Sequence, residues 1–299
     1  FEFAQISSPQ TAGSPFVLSL NALDANGNLA ESYSGTANLS TTAGDITPQS
    51  VTFSDGEASV NVAVSRAGAN QTISAVDGSV SGTSNGFEVL PGVASLAIIT
   101  QQPGDVTAGE SISPAPAVRV EDDGGNPVEG VDVTVTNSEG TITAGSVTNV
   151  ATNSDGIAVF DNIVIESAAQ YTLLFDVAPA GVSTVETDQF TVNPADADPG
   201  QSDASVPDGT AGKETTITIT VQDEFGNRVP GVSGQLSVTV RGANSDSPSV
   251  TESGGGIYRA SYTPVFSGND RIDIELNGSP ISRSPYTSRV TTSDISSGH

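Results

Sequence analysis

Thr11-Ala12-Gly13, Thr107-Ala108-Gly109 and Thr210-Ala211-Gly212 are three copies of one tripeptide, set 96 and 103 residues apart. An alternating stretch follows each copy: Phe16 to Leu23, Ala117 to Val120 after a proline-interrupted start, and Thr216 to Val221. Each stretch then runs into an acidic turn, Asp24-Ala25-Asn26-Gly27-Asn28, Asp122-Asp123-Gly124-Gly125-Asn126-Pro127 or Asp223-Glu224-Phe225-Gly226-Asn227. Glycine accepts positive φ without a Cβ penalty, and Asp or Asn side chains bond backbone groups that a turn leaves unpaired. A period of about 100 residues is the length of one sandwich domain.

Working outward, later strands recur in the same order. Glu57 to Val64 and Phe87 to Leu90 belong to the first unit, and Ile157 to Ile165, Tyr171 to Val177 and Gln189 to Val192 to the second. Ile257 to Tyr262, Arg271 to Leu276 and Tyr286 to Val290 hold the corresponding places in the third. About seven short strands per unit, punctuated by turn signals, predict a two-sheet sandwich. The inner faces are expected to carry Phe16, Leu18, Leu20, Phe53, Phe87, Val118, Val120, Phe160, Phe175, Phe190, Ile217, Ile219, Val221, Tyr258, Tyr262 and Ile272.

Leu90-Pro91-Gly92 closes the first unit and Asn193 to Gly200 the second. The expected organisation is all-β: three tandem immunoglobulin-like β-sandwich domains, 1–92, 93–194 and 195–291, with a flexible tail at 292–299. Short linkers predict an end-to-end rod, looser at the second, Asp- and Gly-rich junction. Phe1 to Ile6 alternates like a strand.

Composition agrees with that class. Hydrophobic residues make up 35% and charged residues 15%, and 32 Gly with 17 Pro are too many for a helical bundle of 299 residues. Nine Lys plus Arg against 35 Asp plus Glu give a formal net charge of −26. Such an excess repels itself in dilute buffer and is screened in molar salt, so a salt-rich habitat is expected. The scattered cations argue against a nucleic-acid partner. Cysteine is absent, which removes disulfide and thiol chemistry. No run of about eighteen apolar residues is present, so direct membrane insertion is not expected, and the chain reads as a mature or excised piece of something larger.

The third unit resembles a filamin-type immunoglobulin repeat. The likeness lies in Ala211-Gly212, Val221 to Asn227, Gly256-Ile257-Tyr258-Arg259-Ala260-Ser261-Tyr262-Thr263-Pro264, Gly268 and Ile281 to Tyr286. It departs from that pattern at Gly255-Gly256, where Asp-Gly is usual, and at Arg283-Ser284-Pro285-Tyr286, where Gly-Ser-Pro-Phe is usual. The first two units resemble immunoglobulin-like modules of bacterial surface proteins related to invasin and intimin, through Thr-Ala-Gly, the Gly-Asn turns and Asn153-Ser154-Asp155-Gly156-Ile157-Ala158. The resemblance implies a bacterial, extracellular or cell-surface setting.

Catalytic chemistry has little to work with. The single histidine is His299, so no Ser-His-Asp arrangement or histidine-ligated zinc site can be assembled. Calcium is the one cofactor the acids suggest, with Asp196, Asp198 and Asp203 clustered at the second junction and Glu121, Asp122 and Asp123 in one turn. Solvated acidic loops account for the same residues. Lys213, the only lysine, stands in the turn after Ala211-Gly212, a poor place for a buried crosslink. Two functions follow. One is a non-catalytic stalk or spacer of a cell-surface protein, an adhesin or surface filament component, with other domains of the same parent protein as partners. The other is an accessory module of a secreted enzyme, binding a surface protein or polysaccharide. Five Tyr, ten Phe and no Trp leave few rings for a sugar-stacking platform, which favours the stalk.

Overall fold

Alternation decides which side of each strand enters a core. In Phe16–Asn21 the side chains of Leu18 and Leu20 are buried while Asn21 faces water, and in Ile257–Tyr262 the buried set is Tyr258, Ala260 and Tyr262. A computed structural model describes residues 1–139, 141–178 and 181–293. Among these residues the secondary structure is strand, apart from one 3-10 turn at Ser233–Gln235.

Three hydrophobic clusters form, each from residues close in sequence. The first runs from Ile6 to Val89, the second from Ala97 to Val192 and the third from Ala204 to Ile281. Phe53, Phe87, Phe160, Phe175 and Tyr258 are their largest fully buried side chains, each worth about 1.5–3 kcal/mol of burial. Every residue assigned to an inner face from the sequence is buried, save Phe16, which is half-buried against the first cluster. The fold is thus all-β and built of tandem immunoglobulin-like units.

Antiparallel sheets enclose each cluster. In the first unit Glu2–Phe3, Phe16–Asn21, Glu57–Val64 and Ile46–Thr47 form one sheet, and Val80–Thr83, Ile73–Asp77, Thr36–Thr41 and Ser50–Thr52 form the other. A short parallel pair then joins Gln10–Thr11 to Phe87–Leu90. The same parallel pair recurs as Val106–Thr107 with Phe190–Asn193, and as Gly209–Thr210 with Tyr286–Thr291. The repeated tripeptides therefore mark where each unit's early strand meets its last one.

Three strands differ from the sequence reading. Tyr171 to Val177 is two strands, Ala169–Tyr171 and Leu173–Val177, in different sheets. The ladder breaks because side-chain oxygens take the backbone N–H groups there: Thr172 donates to Ser138 Oγ and Leu173 to the buried Thr187 Oγ1. The expected strand Ile157 to Ile165 forms a continuous ladder only over Ile157–Val159, with an isolated bridge from Val164 to Ser111. Beyond the ladder the facing chain holds Pro114 and Pro116, which have no N–H to give, and Phe160 instead donates to the Pro116 carbonyl. Phe1 to Ile6 pairs only at Glu2–Phe3, while the Phe1 ring stacks on Phe53 at 4.8 Å. The expected tail at 292–299 lies, from residue 294 on, outside the described residues.

Candidate functional site

The acidic turns are the most elaborated polar features of the chain. In each, one carboxylate oxygen closes the turn by accepting two backbone N–H groups: Asp24 Oδ1 from Asn26 and Asn28, Asp122 Oδ1 from Gly124 and Asn126, Asp223 Oδ1 from Phe225 and Asn227. The glycine before each asparagine has positive φ, +84° at Gly27, +76° at Gly125 and +86° at Gly226. That conformation costs an L-residue about 1–2 kcal/mol, so glycine is the natural choice.

In the second and third units the asparagine reaches out of its turn into the preceding unit. The Ala67 N–H donates to Asn126 Oδ1 at 2.8 Å, and Asn126 Nδ2 donates to the Ser65 carbonyl at 2.8 Å. Ala168 N–H and the Glu166 carbonyl bracket Asn227 in the same way, at 2.8 and 2.7 Å. A primary amide carries both a donor and an acceptor on one rigid plane, so it can clasp a carbonyl and the N–H two residues further on. A carboxylate there would have no proton to give the carbonyl.

The aspartate's second oxygen holds the linker. Gly92 N–H donates to Asp122 Oδ2 at 2.6 Å and Ala195 N–H to Asp223 Oδ2 at 2.9 Å, and each asparagine Nδ2 also reaches its own aspartate. Asp122, Asn126 and Asp223 are buried by these contacts. Burial alone would raise the Asp122 carboxyl, but hydrogen bonds from Asn126, Gly92 and Gly124 outweigh it and hold the group below its usual 3.8.

Packing differs between the two clasps. At Gly124 a Cβ would stand 2.5 Å from the Ser65 carbonyl oxygen, so that position admits only glycine at this approach. At the second clasp the matching residue, Phe225, lays its ring over Gly109 and packs against the second hydrophobic cluster. The second linker is also tied by Asp198 N–H to the Gln222 carbonyl and Ser282 N–H to the Pro199 carbonyl. The stretch expected to be looser is thus bonded to the third unit at Ala195, Asp198 and Pro199, and within itself where Gly200 N–H donates to Asp198 Oδ1.

Four of the six calcium candidates have other partners. Glu121 pairs with Arg119, Asp122 is the clasp carboxylate, Asp198 caps Gly200, and Asp203 takes Arg283 and the Tyr286 hydroxyl. Asp123 and Asp196 are both exposed. Among the described residues no three His, Cys, Asp or Glu side chains stand together in a way that could hold a metal ion. Cysteine is absent, and His299 lies outside the described residues. A cleft of about 550 Å³ opens beside the first clasp, lined by Leu90, Asn126 and Pro127 with Glu88 and Glu129, and it has no basic or nucleophilic partner for those acids beyond Ser154. No helix of the described residues is long and apolar enough to cross a membrane.

Sequence reasoning took the acidic turns as local structure and missed the reach of Asn126 and Asn227. The signal was present: the turn itself needs the aspartate and the glycine, yet an asparagine follows the glycine in all three units.

The comparisons with known proteins bear on the fold. Residues 196–287 match the model of the Filamin/ABP280 repeat. Among curated proteins nothing matches. Among solved structures, the Escherichia coli adhesin FdeC is similar over 95% of each chain, at 20% identity and a TM-score of 0.50. Invasin, a bacterial integrin-binding protein, is 16% identical over 95% of this chain and 58% of its own, with a TM-score of 0.47. InvD of Yersinia pseudotuberculosis is 21% identical over 69% of this chain and 60% of its own, with a TM-score of 0.43. Identities this low concern the fold alone: a filamin-related, immunoglobulin-like β-sandwich arrangement of the kind found in such adhesins.

Proposed function

We infer that the chain is a non-catalytic structural stalk or spacer of a bacterial extracellular or cell-surface protein, holding another part of that protein away from the cell. The observation that carries this reading is the duplication of the clasp. Two successive junctions use the same Asp, Gly and Asn, bonded to the same backbone positions of the preceding unit and to the linker. A repeated junction of fixed chemistry gives a repeated angle, and a chain of domains at 1–92, 93–194 and 195–291 then extends as a rod. The likeness to an adhesin and the acidic surface support a surface setting. A sugar-binding accessory role is less supported, because Phe266 is the one aromatic among the large hydrophobic side chains exposed in the described residues.

Small-angle scattering in molar salt tests the reading. A compact globule of this length has a radius of gyration of about 19 Å. The rod is expected at about 30 Å or above, with a long tail in the distance distribution, and a value near the compact figure overturns it.

A further inference from the structure

We propose that the Asp24–Asn28 turn is a third clasp, and that its occupant is the loop of another immunoglobulin-like module placed before Phe1 in the same polypeptide. The turn has the same internal bonds as the two working clasps, with Asp24 Oδ1 at 2.8 Å from Asn26 N and 2.9 Å from Asn28 N. What differs is the outward half. Among the described residues nothing donates to Asn28 Oδ1, and Asn28 Nδ2 reaches only Asp24, at 3.3 and 3.5 Å. Residues 23–29 are all exposed, Leu23 and Leu29 among them, whereas the matching Asp122, Asn126 and Asp223 are buried. A turn that needs only Asp and Gly to close nevertheless carries the asparagine that does the clasping elsewhere.

The structure also defines what the occupant must offer. Gly13, Gly109 and Gly212 donate to the carbonyls of Val64, Ile165 and Pro264, which aligns the three receiving loops. One residue after that carbonyl comes the clasped one, Ser65 or Glu166, and two further on the clasped N–H, Ala67 or Ala168. By this alignment the third unit presents the Val265 carbonyl and the Ser267 N–H, neither with a partner among the described residues, beside exposed Val265 and Phe266. Its linker amide, matching Gly92 and Ala195, is that of Ser293. The chain thus holds both complementary halves, one in its first unit and one in its third. Asn26 has a side chain where Gly124 has none, so the third clasp takes the form of the second junction, where Phe225 is accommodated. A few hydrogen bonds are too little for free association, and the covalent tether supplies the effective concentration that makes them count.

This rests on the stalk reading, and the test separates the two. Two full copies are fused, residue 299 of the first to Phe1 of the second, which places Ser293 as far before Asp24 as Gly92 is before Asp122, 30 residues. The chain has no cysteine, so spin labels at Thr287→Cys in the first copy and Val17→Cys in the second report one distance. A single narrow distribution is expected. Asn28→Ala and Asn28→Asp in the second copy are expected to broaden it, the open population rising by on the order of tenfold, with the melting curve unchanged because Asn28 is exposed. In the single chain, Asn126→Ala read between labels at Val17 and Val159 is the control. If Asn126→Ala broadens its junction and the Asn28 variants leave the fused one as it was, or if the unmutated fusion is already broad, the third clasp is overturned and the stalk reading stands. If Asn126→Ala changes nothing either, the clasp itself fails.

Discussion

Gly109→Ala separates the cost of a turn from the cost of a junction. Gly13, Gly109 and Gly212 occupy the same place in the three tripeptides, at φ of +76°, +81° and +79°. An alanine Cβ meets nothing within 4 Å at Gly13 or Gly212, but at Gly109 it runs into the Phe225 ring. Gly13→Ala and Gly212→Ala are therefore expected to cost about 1–2 kcal/mol each, the price of left-handed backbone. Gly109→Ala carries that cost and also displaces a half-buried ring. Full burial of a phenylalanine contributes about 1.5–3 kcal/mol, so losing half of it adds about 1 kcal/mol. Chemical denaturation gives the totals, and hydrogen exchange at the Ala168 and Ala195 amides reports the junction. Both amides should exchange faster in Gly109→Ala and be unmoved in Gly13→Ala. Phe225→Ala closes the cycle: in that background Gly109→Ala should fall back to the cost at Gly13. If Gly109→Ala costs no more than Gly13→Ala while the two amides stay protected, the ring does not hold the junction and the reasoning is refuted.

Acid should open the first clasp late. The folded-state value of Asp122 is depressed, so its contribution is complete above the ordinary 3.8 and is lost as pH falls through the folded value; labels at Val17 and Val159 should read the same distance at neutral and mildly acid pH and a broader one only below that ordinary value. In the third unit Asp270 is fully buried and takes Asn244 N–H, Asn244 Nδ2 and the Tyr262 hydroxyl. Asp270→Ala strands those donors and should destabilise that unit by about 3–5 kcal/mol in chemical denaturation, leaving the first unit's transition in place; a loss within error would mean water replaces the carboxylate. Raising potassium chloride from about 0.1 M to about 2 M should raise the melting temperature by screening the −26 charge, and a flat curve would remove the salt-adaptation expectation.

Much of the fold was legible because its signals are local. Leu18, Leu20, Ile217 and Ile219 alternate with polar residues and are buried, and Gly226 has the positive φ that its turn requires. What escaped depends on partners distant in sequence. Nothing around Thr172 says that a strand changes sheets there, since the cause is two hydroxyls, on Ser138 and Thr187. The clasps escaped for the same reason. Asn126 bonds residues about sixty positions earlier, separated from it by the last strands of the first unit, the linker and the opening strands of the second, and only the recurrence of the asparagine in all three units hints that it has a job beyond its own turn.

The parallel pairs carry a mechanical consequence. In each unit a two-residue strand near the entering end of the chain lies alongside the strand through which the chain leaves: Gln10–Thr11 on Phe87–Leu90, Val106–Thr107 on Phe190–Asn193, Gly209–Thr210 on Tyr286–Thr291. Tension along the polypeptide pulls the two members in opposite directions along their shared axis. Their hydrogen bonds are then strained together, in shear, and cannot be peeled one after another from an end. The rate at which a unit gives way under load is set by that barrier, whatever its equilibrium stability. The threonine of each repeated tripeptide sits in this ladder, so the three words that punctuate the sequence are also the three latches that a pull must break.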